Sequence, residues 1–350
     1  MFSSSKYFFT IILLLVLVSC ETDSSPTAVA VDPGPSYDSL TVDASSDWGF
    51  VKSADGKLSP VAVSDRTSSS DWVMGFFATS AMLNGGAAGP GNVDGYCLCQ
   101  NSSATDTEVM AMTSDSELQK FEDVKVTDIP SADSLWASDS LEPVIKDWYS
   151  YNFQTHAISA APEKVWKMRT AAGDAYAKFH VTQIANGTQQ HAGTITFKYA
   201  LQTAAGATFQ VDATGSVDVS SGGVYFDLDT GSAVTSADSW DLHFEGYSIR
   251  VNGGVSGGGQ AGASLATDDF DSITDASDLS SYGYPGDAFA GTFTANKWYR
   301  YNLAGGHQIW PVFNVYLVRS GNDVYKIQLT GYYSAGGDSR HISFRYEKLS

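Results

Sequence analysis

Two histidines stand at matching places in the chain. His156 follows the stretch Trp148-Tyr149-Ser150-Tyr151-Asn152, and His307 follows Trp298-Tyr299-Arg300-Tyr301-Asn302. Each precedes an isoleucine by two residues, Ile158 and Ile309. Neutral imidazole is a common ligand for iron. The plain alternative is a structural histidine satisfied by a backbone partner. Sulfur is spaced in pairs too, as Cys97-x-Cys99 and Met110-x-Met112, each pair sharing one face if extended. Thiolate and thioether ligate iron and copper, although methionine more often fills cores. The two cysteines could close a small ring, stay as free thiols or hold something soft. Four histidines remain. His180, His243 and His341 fall on the polar faces of expected strands and are expected to meet water; His191 lies in a turn-rich segment.

Carboxylates are paired at Asp227-x-Asp229 and Asp268-Asp269. With 39 acidic residues against 20 basic ones, such pairs arise from composition alone. GxSxG, HExxH and cysteine–histidine signatures are absent in the contexts that would make them catalytic. The expectation is binding without catalysis. A net charge of −19 repels phosphate and argues against nucleic acid as a partner. The glycine-rich turns Asn84-Gly85-Gly86 and Asn252-Gly253-Gly254 lack the Lys-Ser/Thr of a phosphate loop.

The elements that must carry these residues are strands. Phe179 and Val181 share one face, as do Ile327 with Leu329, and Ile342, Phe344 and Tyr346. Trp240, Leu242 and Phe244 alternate with Asp241, His243 and Glu245. Period-two alternation of this kind marks half-buried antiparallel strands. Turn signals separate them at Asp55-Gly56, Asn84-Gly85, Asn252-Gly253 and Gly336-Gly337-Asp338. Helix signals are few: Ser114-x-x-Glu117 ahead of Leu118 and Phe121 reads as a capped short helix, and 134–146 as a second, interrupted by Pro143. An apolar content of 43% and 33 glycines fit an ordered all-β protein.

The folded part is written twice. At an offset of 168 (240 − 72), Trp72 falls on Trp240, Phe76 on Phe244, Asn84-Gly85-Gly86 on Asn252-Gly253-Gly254, and Gly89 and Gly91 on Gly257 and Gly259. The WYxYN stretches, the two His-x-Ile pairs, and ITFKY at Ile195 with ISFRY at Ile342 follow in the same order. This gives copy one at 42–202, copy two at 217–350, and a linker or edge strand at 203–216. The copies differ most at about 95–147 and 263–297, and the second of these has no His, Met or Cys. Loops that vary on a fixed scaffold tend to carry function.

Residues 1–20 read as a signal peptide, with Lys6 ahead of a short apolar run that ends in Leu17-Val18-Ser19-Cys20. Small residues before a terminal cysteine resemble a bacterial lipobox, which makes Cys20 the lipid attachment point. The polar, Ser/Pro-rich stretch 21–41 then serves as a flexible tether.

The string at 225–263, together with WYRYN, GHQIWP, VYKIQLTGYY and HISFRY, resembles the HmuY family of haem-binding bacterial lipoproteins. The resemblance covers nearly all of copy two and extends more loosely to copy one, where Gly75 and Met82 replace His243 and Arg250. It implies two tandem all-β domains on a lipoprotein anchored at the outer membrane, facing the cell surface. It also implies capture of haem or a related porphyrin for iron uptake, without catalysis, from haem-carrying proteins, and its delivery to an outer-membrane receptor. Axial ligands drawn from His and Met point to His156, His307, Met110 and Met112. The competing expectation is a lipid-anchored module that binds a glycan or a protein and no haem.

Overall fold

The structure, a computed structural model, describes residues 36–350; Cys20, the signal segment and most of the tether lie outside the described residues. Residues 37–350 form one compact unit. It is built from antiparallel sheets with three short α-helices, Asp106–Ala111 (α1), Leu118–Glu122 (α2) and Thr292–Ala295 (α3). No helix among the described residues is long and apolar enough to cross a membrane.

The sheets do not follow the repeat. One five-stranded sheet runs Asp38–Asp43, Ser339–Lys348, Asp323–Tyr333, Val315–Ser320, Asp94–Cys97. Its three middle strands come from copy two. One edge, Asp94–Cys97, comes from copy one, and the other, Asp38–Asp43, runs from the end of the expected tether into copy one, so residues 38–41 are strand and not tether. The other runs Ala213–Asp218, Thr194–Gln202, Tyr176–Ala185, Trp166–Arg169, Gly262–Leu265, with its middle strands from copy one, the edge Gly262–Leu265 from copy two, and the edge Ala213–Asp218 running from the connection into copy two. The copies therefore exchange halves. A central lobe has a core drawn from Ile145 to Ala263. A terminal lobe has a core drawn from Val42–Val93 together with Phe293–Tyr346. The boundaries 42–202 and 217–350 describe the duplication, and the packed cores divide the chain differently. Residues 203–212 form the connection, and Ala213–Asp218 lies as an edge strand on copy one's strands. A short connection makes this neighbouring pairing cheap in loop-closure entropy.

The halves keep equivalent geometry after the exchange. Phe50 packs on Trp72 with ring centroids 5.0 Å apart at 66°, and Tyr225 on Trp240 at 5.0 Å and 67°. Asn84 donates its amide to the Trp72 carbonyl at 2.8 Å and accepts from the Gly91 N–H at 3.0 Å. Asn252 does the same with Trp240 and Gly259 at 2.8 and 3.1 Å. A Cβ on Gly85 would stand 2.0 Å from the Val93 carbonyl oxygen, and one on Gly253 1.9 Å from that of Ala261. The Asn-Gly-Gly motif is thus a backbone clamp that only glycine permits.

Buried lysines pin each variable segment to the opposite copy's sheet. Lys326 donates to the carbonyls of Phe121 and Val124, both at 3.1 Å. Lys178 donates to those of Phe270 and Ile273 at 2.9 and 3.3 Å. Each ammonium also lies 4.5 Å from a ring centroid, Phe121 or Phe270. At the junction of the lobes the segments meet as a two-stranded ribbon, Ser140–Glu142 with Ala288–Ala290, Leu141 opposite Phe289. Asp139 and Asp287 flank it, accepting from the Leu83 and Val251 N–H groups at 2.8 and 3.1 Å. Burial pushes the Asp139 carboxyl up to about 7 and raises that of Asp287.

Several local expectations change. The capping box is Thr105 with Glu108, on α1, and Glu117 caps α2 without a side-chain hydrogen bond. Ser116 is occupied with Thr113, exchanging backbone-to-hydroxyl bonds at 2.9 and 3.0 Å. Residues 134–146 form a 3-10 turn and the ribbon strand instead of an α-helix. His243 is buried and stacks on Tyr225 with centroids 3.9 Å apart. Alternation puts it on the face opposite Leu242 and Phe244, but Tyr225 covers that face. The chain bends at Asp241, so Trp240 lies beside Tyr225 and His243 and not beside Phe244.

Candidate functional site

Each WYxYN stretch buries its tryptophan and opens a hairpin. Trp148 and Trp298 are 1% and 2% exposed. Tyr149–Tyr151 pairs with Ile158–Ala160, and Tyr299–Tyr301 with Ile309–Pro311. The asparagine that follows closes each turn. Asn152 accepts from the His156 N–H on its carbonyl at 2.7 Å. Asn302 accepts from the His307 N–H on its side-chain oxygen at 2.9 Å. Both histidines take the left-handed backbone conformation, with φ of 57° in each. That is uncommon for a residue with a Cβ and marks a constrained turn.

The constraint delivers the same side-chain pair twice. His156 Nδ1 lies 2.5 Å from the Tyr151 hydroxyl, and His307 Nδ1 lies 2.5 Å from that of Tyr301. The tyrosine stands five residues before the histidine in one hairpin and six in the other. The geometry is kept although the loops differ in length. Both imidazoles are exposed, and Nε2 of each makes no hydrogen bond among the described residues. A histidine whose Nδ1–H donates to a phenol oxygen presents its Nε2 lone pair outward, the arrangement usual for metal-ligating imidazoles. The tyrosines were not singled out in the sequence, yet the repeated WYxYN motif contains them.

The exchange of halves decides which other candidates come near. In the terminal lobe α1 of copy one packs against Ile309–Pro311 of copy two's hairpin. Arg300 fixes the contact, with 2.6 Å to Asp106 and a second bond to the Ala104 carbonyl. Met110 on α1 and Met112 at its C-terminal end are half-buried. Met112 lines a cleft of about 470 Å3 with Gln100, Asn101, Glu108, Glu117 and Lys120. Asn101 is buried in its floor, donating to Glu117 at 2.9 Å and accepting from Lys120 at 2.6 Å. Cys97 and Cys99 form a disulfide just before this floor, with Cys99 in the left-handed region at φ 54°. Met110, Met112 and the His307 hairpin therefore belong to one lobe, and His156 to the other.

The remaining candidates are committed elsewhere. His180 bonds the Pro162 carbonyl at 2.8 Å and stacks on Phe270 with centroids 4.5 Å apart. His191 accepts from the Gly193 N–H at 3.1 Å. Asp227, Asp229 and Asp241 bring carboxylate oxygens within 4.8 Å of one another. Burial raises Asp229 and pushes Asp241 up to about 6. Both Asp241 oxygens already accept backbone N–H groups, from Ala171 and Leu228.

The sequence pattern of the family described as HmuY protein matches residues 44–199 and again 221–346. No curated protein matches the chain significantly. Among solved structures, one from Bacteroides vulgatus ATCC 8482, provisionally described as an HmuY-like heme binding protein, is 15% identical. It covers 36% of this chain and 84% of that one, with a TM-score of 0.16. A chain from Bacteroides fragilis NCTC 9343, provisionally described as a lipoprotein, is 19% identical over 47% of this chain and 92% of that one, TM-score 0.16. Apo PinO from Porphyromonas gingivitis is 16% identical over 61% and 96%, TM-score 0.18.

Proposed function

This chain belongs to the HmuY family, whose pattern it carries in two tandem copies, and from that premise we propose that it captures haem or a related iron porphyrin without transforming it. The porphyrin is cargo, held on the terminal lobe. His307 supplies imidazole through Nε2, with Tyr301 fixing the ring through Nδ1. Met110 or Met112 supplies a thioether from α1. The observation that carries the proposal is that α1 of copy one lies against the His307 hairpin of copy two. That contact supports drawing a sulfur ligand and an imidazole from separate copies. An acyl group on Cys20 would hold the protein at the outer membrane, where it takes haem from carrier proteins and passes it to a receptor. Fractionation of cells carrying Cys20→Ala tests the anchor: the variant should leave the membrane fraction.

Haemin titration of the mature protein tests the cargo. A sharpened, shifted Soret band is expected. His307→Ala should weaken binding about 10–100-fold, and the double variant Met110→Ala, Met112→Ala should convert a low-spin spectrum to a high-spin one. A spectrum of free haemin throughout would reject the proposal. The exposed rings Tyr282 and Phe153, at 94% and 84%, also suit stacking on a sugar. Binding on a glycan array with no Soret change would favour that reading.

A further inference from the structure

The central lobe repeats the tyrosine–histidine pair without repeating its surroundings. Tyr151 and His156 keep the 2.5 Å contact and the left-handed histidine. Beside them Phe153 stands 84% exposed, edge-on to Tyr151 with centroids 5.0 Å apart at 87°. The turn does not need these side chains: it is closed by Asn152, through its backbone bonds with His156 and Ala157 and its side-chain bonds with Gln154 and Thr155. An exposed phenylalanine and an exposed imidazole on the same tyrosine offer an apolar ring and one nitrogen ligand. No second ligand is at hand. The variable segment 263–297 lacks His, Met and Cys. The lobe's one methionine, Met168, is wholly buried, as its histidine His243 largely is; His180 and His191 are bonded to backbone groups.

We propose that the central lobe is a second, separate site for a ferric porphyrin, in which His156 is the single protein ligand, Tyr151 positions it and Phe153 covers part of the porphyrin face. The proposal rests on the haem-binding reading given above and adds a stoichiometry and a spin state to it. The terminal site uses imidazole with sulfur. The central one leaves the sixth iron position to water and is high-spin.

Haemin titration of the full mature chain, read by absorbance and electron paramagnetic resonance, tests it. Two equivalents are expected, one of them high-spin. His156→Ala should remove the high-spin equivalent and leave the other. Tyr151→Phe should weaken the high-spin equivalent about 10–100-fold while His307→Ala leaves it in place. Thermal melts check that each variant is folded. A single equivalent in the unaltered protein, removed by His307→Ala and untouched by His156→Ala, overturns the second site alone. Two equivalents that survive in the His156→Ala, His307→Ala double variant overturn it also. No Soret response in any form sinks the haem reading itself.

Discussion

At the scale of single residues, exposed and buried titratable groups differ in what holds them. The exposed imidazoles His156 and His307 each make one side-chain hydrogen bond, to Tyr151 and Tyr301. The buried carboxyl of Asp139 has its tendency to ionise reduced by desolvation, only partly offset by the Leu83 N–H. Its folded value, about 7, lies above the ordinary 3.8. The folded state therefore holds a proton that the unfolded chain releases above about pH 4. This contribution to stability is complete below that pH and is lost as pH rises through 7. Asp139→Asn keeps the group neutral at every pH. Urea unfolding should show the variant near the parent at about pH 4 and below, and ahead of it by about 2–4 kcal/mol at pH 8. Equal pH profiles for the two proteins would show that Asp139 is ionised when folded. The repeat marks His156 and His307 as equivalent, and each meets a tyrosine hydroxyl in the same way. Sequence reasoning misplaced His243 because alternation gives a face and not what packs on it, here Tyr225.

At the scale of elements, the strands were legible and the helices less so. Alternating apolar residues gave the long strands Tyr176–Ala185, Asp323–Tyr333 and Ser339–Lys348. A capping signature needs only two residues, and Ser114-x-x-Glu117 marks a helix that does form as α2 but without that box. The Ser114 hydroxyl and carbonyl accept from Arg345, a partner no local pattern supplies. The variable segments depend on lysines that no local pattern singles out. Lys326→Met removes two charge-assisted bonds to buried carbonyls. It should cost about 2–3 kcal/mol. Hydrogen exchange should rise in 114–124, which belongs to the other copy. Lys178→Met should loosen 268–276 in the same way. Exchange that rises only within the lysine's own copy would contradict the exchanged arrangement.

At the scale of the whole molecule, the first strand closes the last sheet. Asp38–Asp43 pairs along its length with Ser339–Lys348. Deleting residues up to 43 should destabilise the terminal lobe and leave the central one, whose core runs from Ile145 to Ala263, protected. Domain-resolved hydrogen exchange would read this as faster exchange in Val315–Ser320 and Ser339–Lys348, with Thr194–Gln202 unchanged. Loss of protection in Thr194–Gln202 would instead fit a chain folded copy by copy.

The order of residues alone established the duplication, the antiparallel strands and the family, because periodicity and repetition are properties of the string. The pairing of halves was decided only in three dimensions. The short 203–212 connection and the meeting of the chain's two ends select the partner. That selection sets α1 of one copy against the Ile309–Pro311 strand of the other, and leaves His156 and Phe153 on either side of Tyr151 in the central lobe.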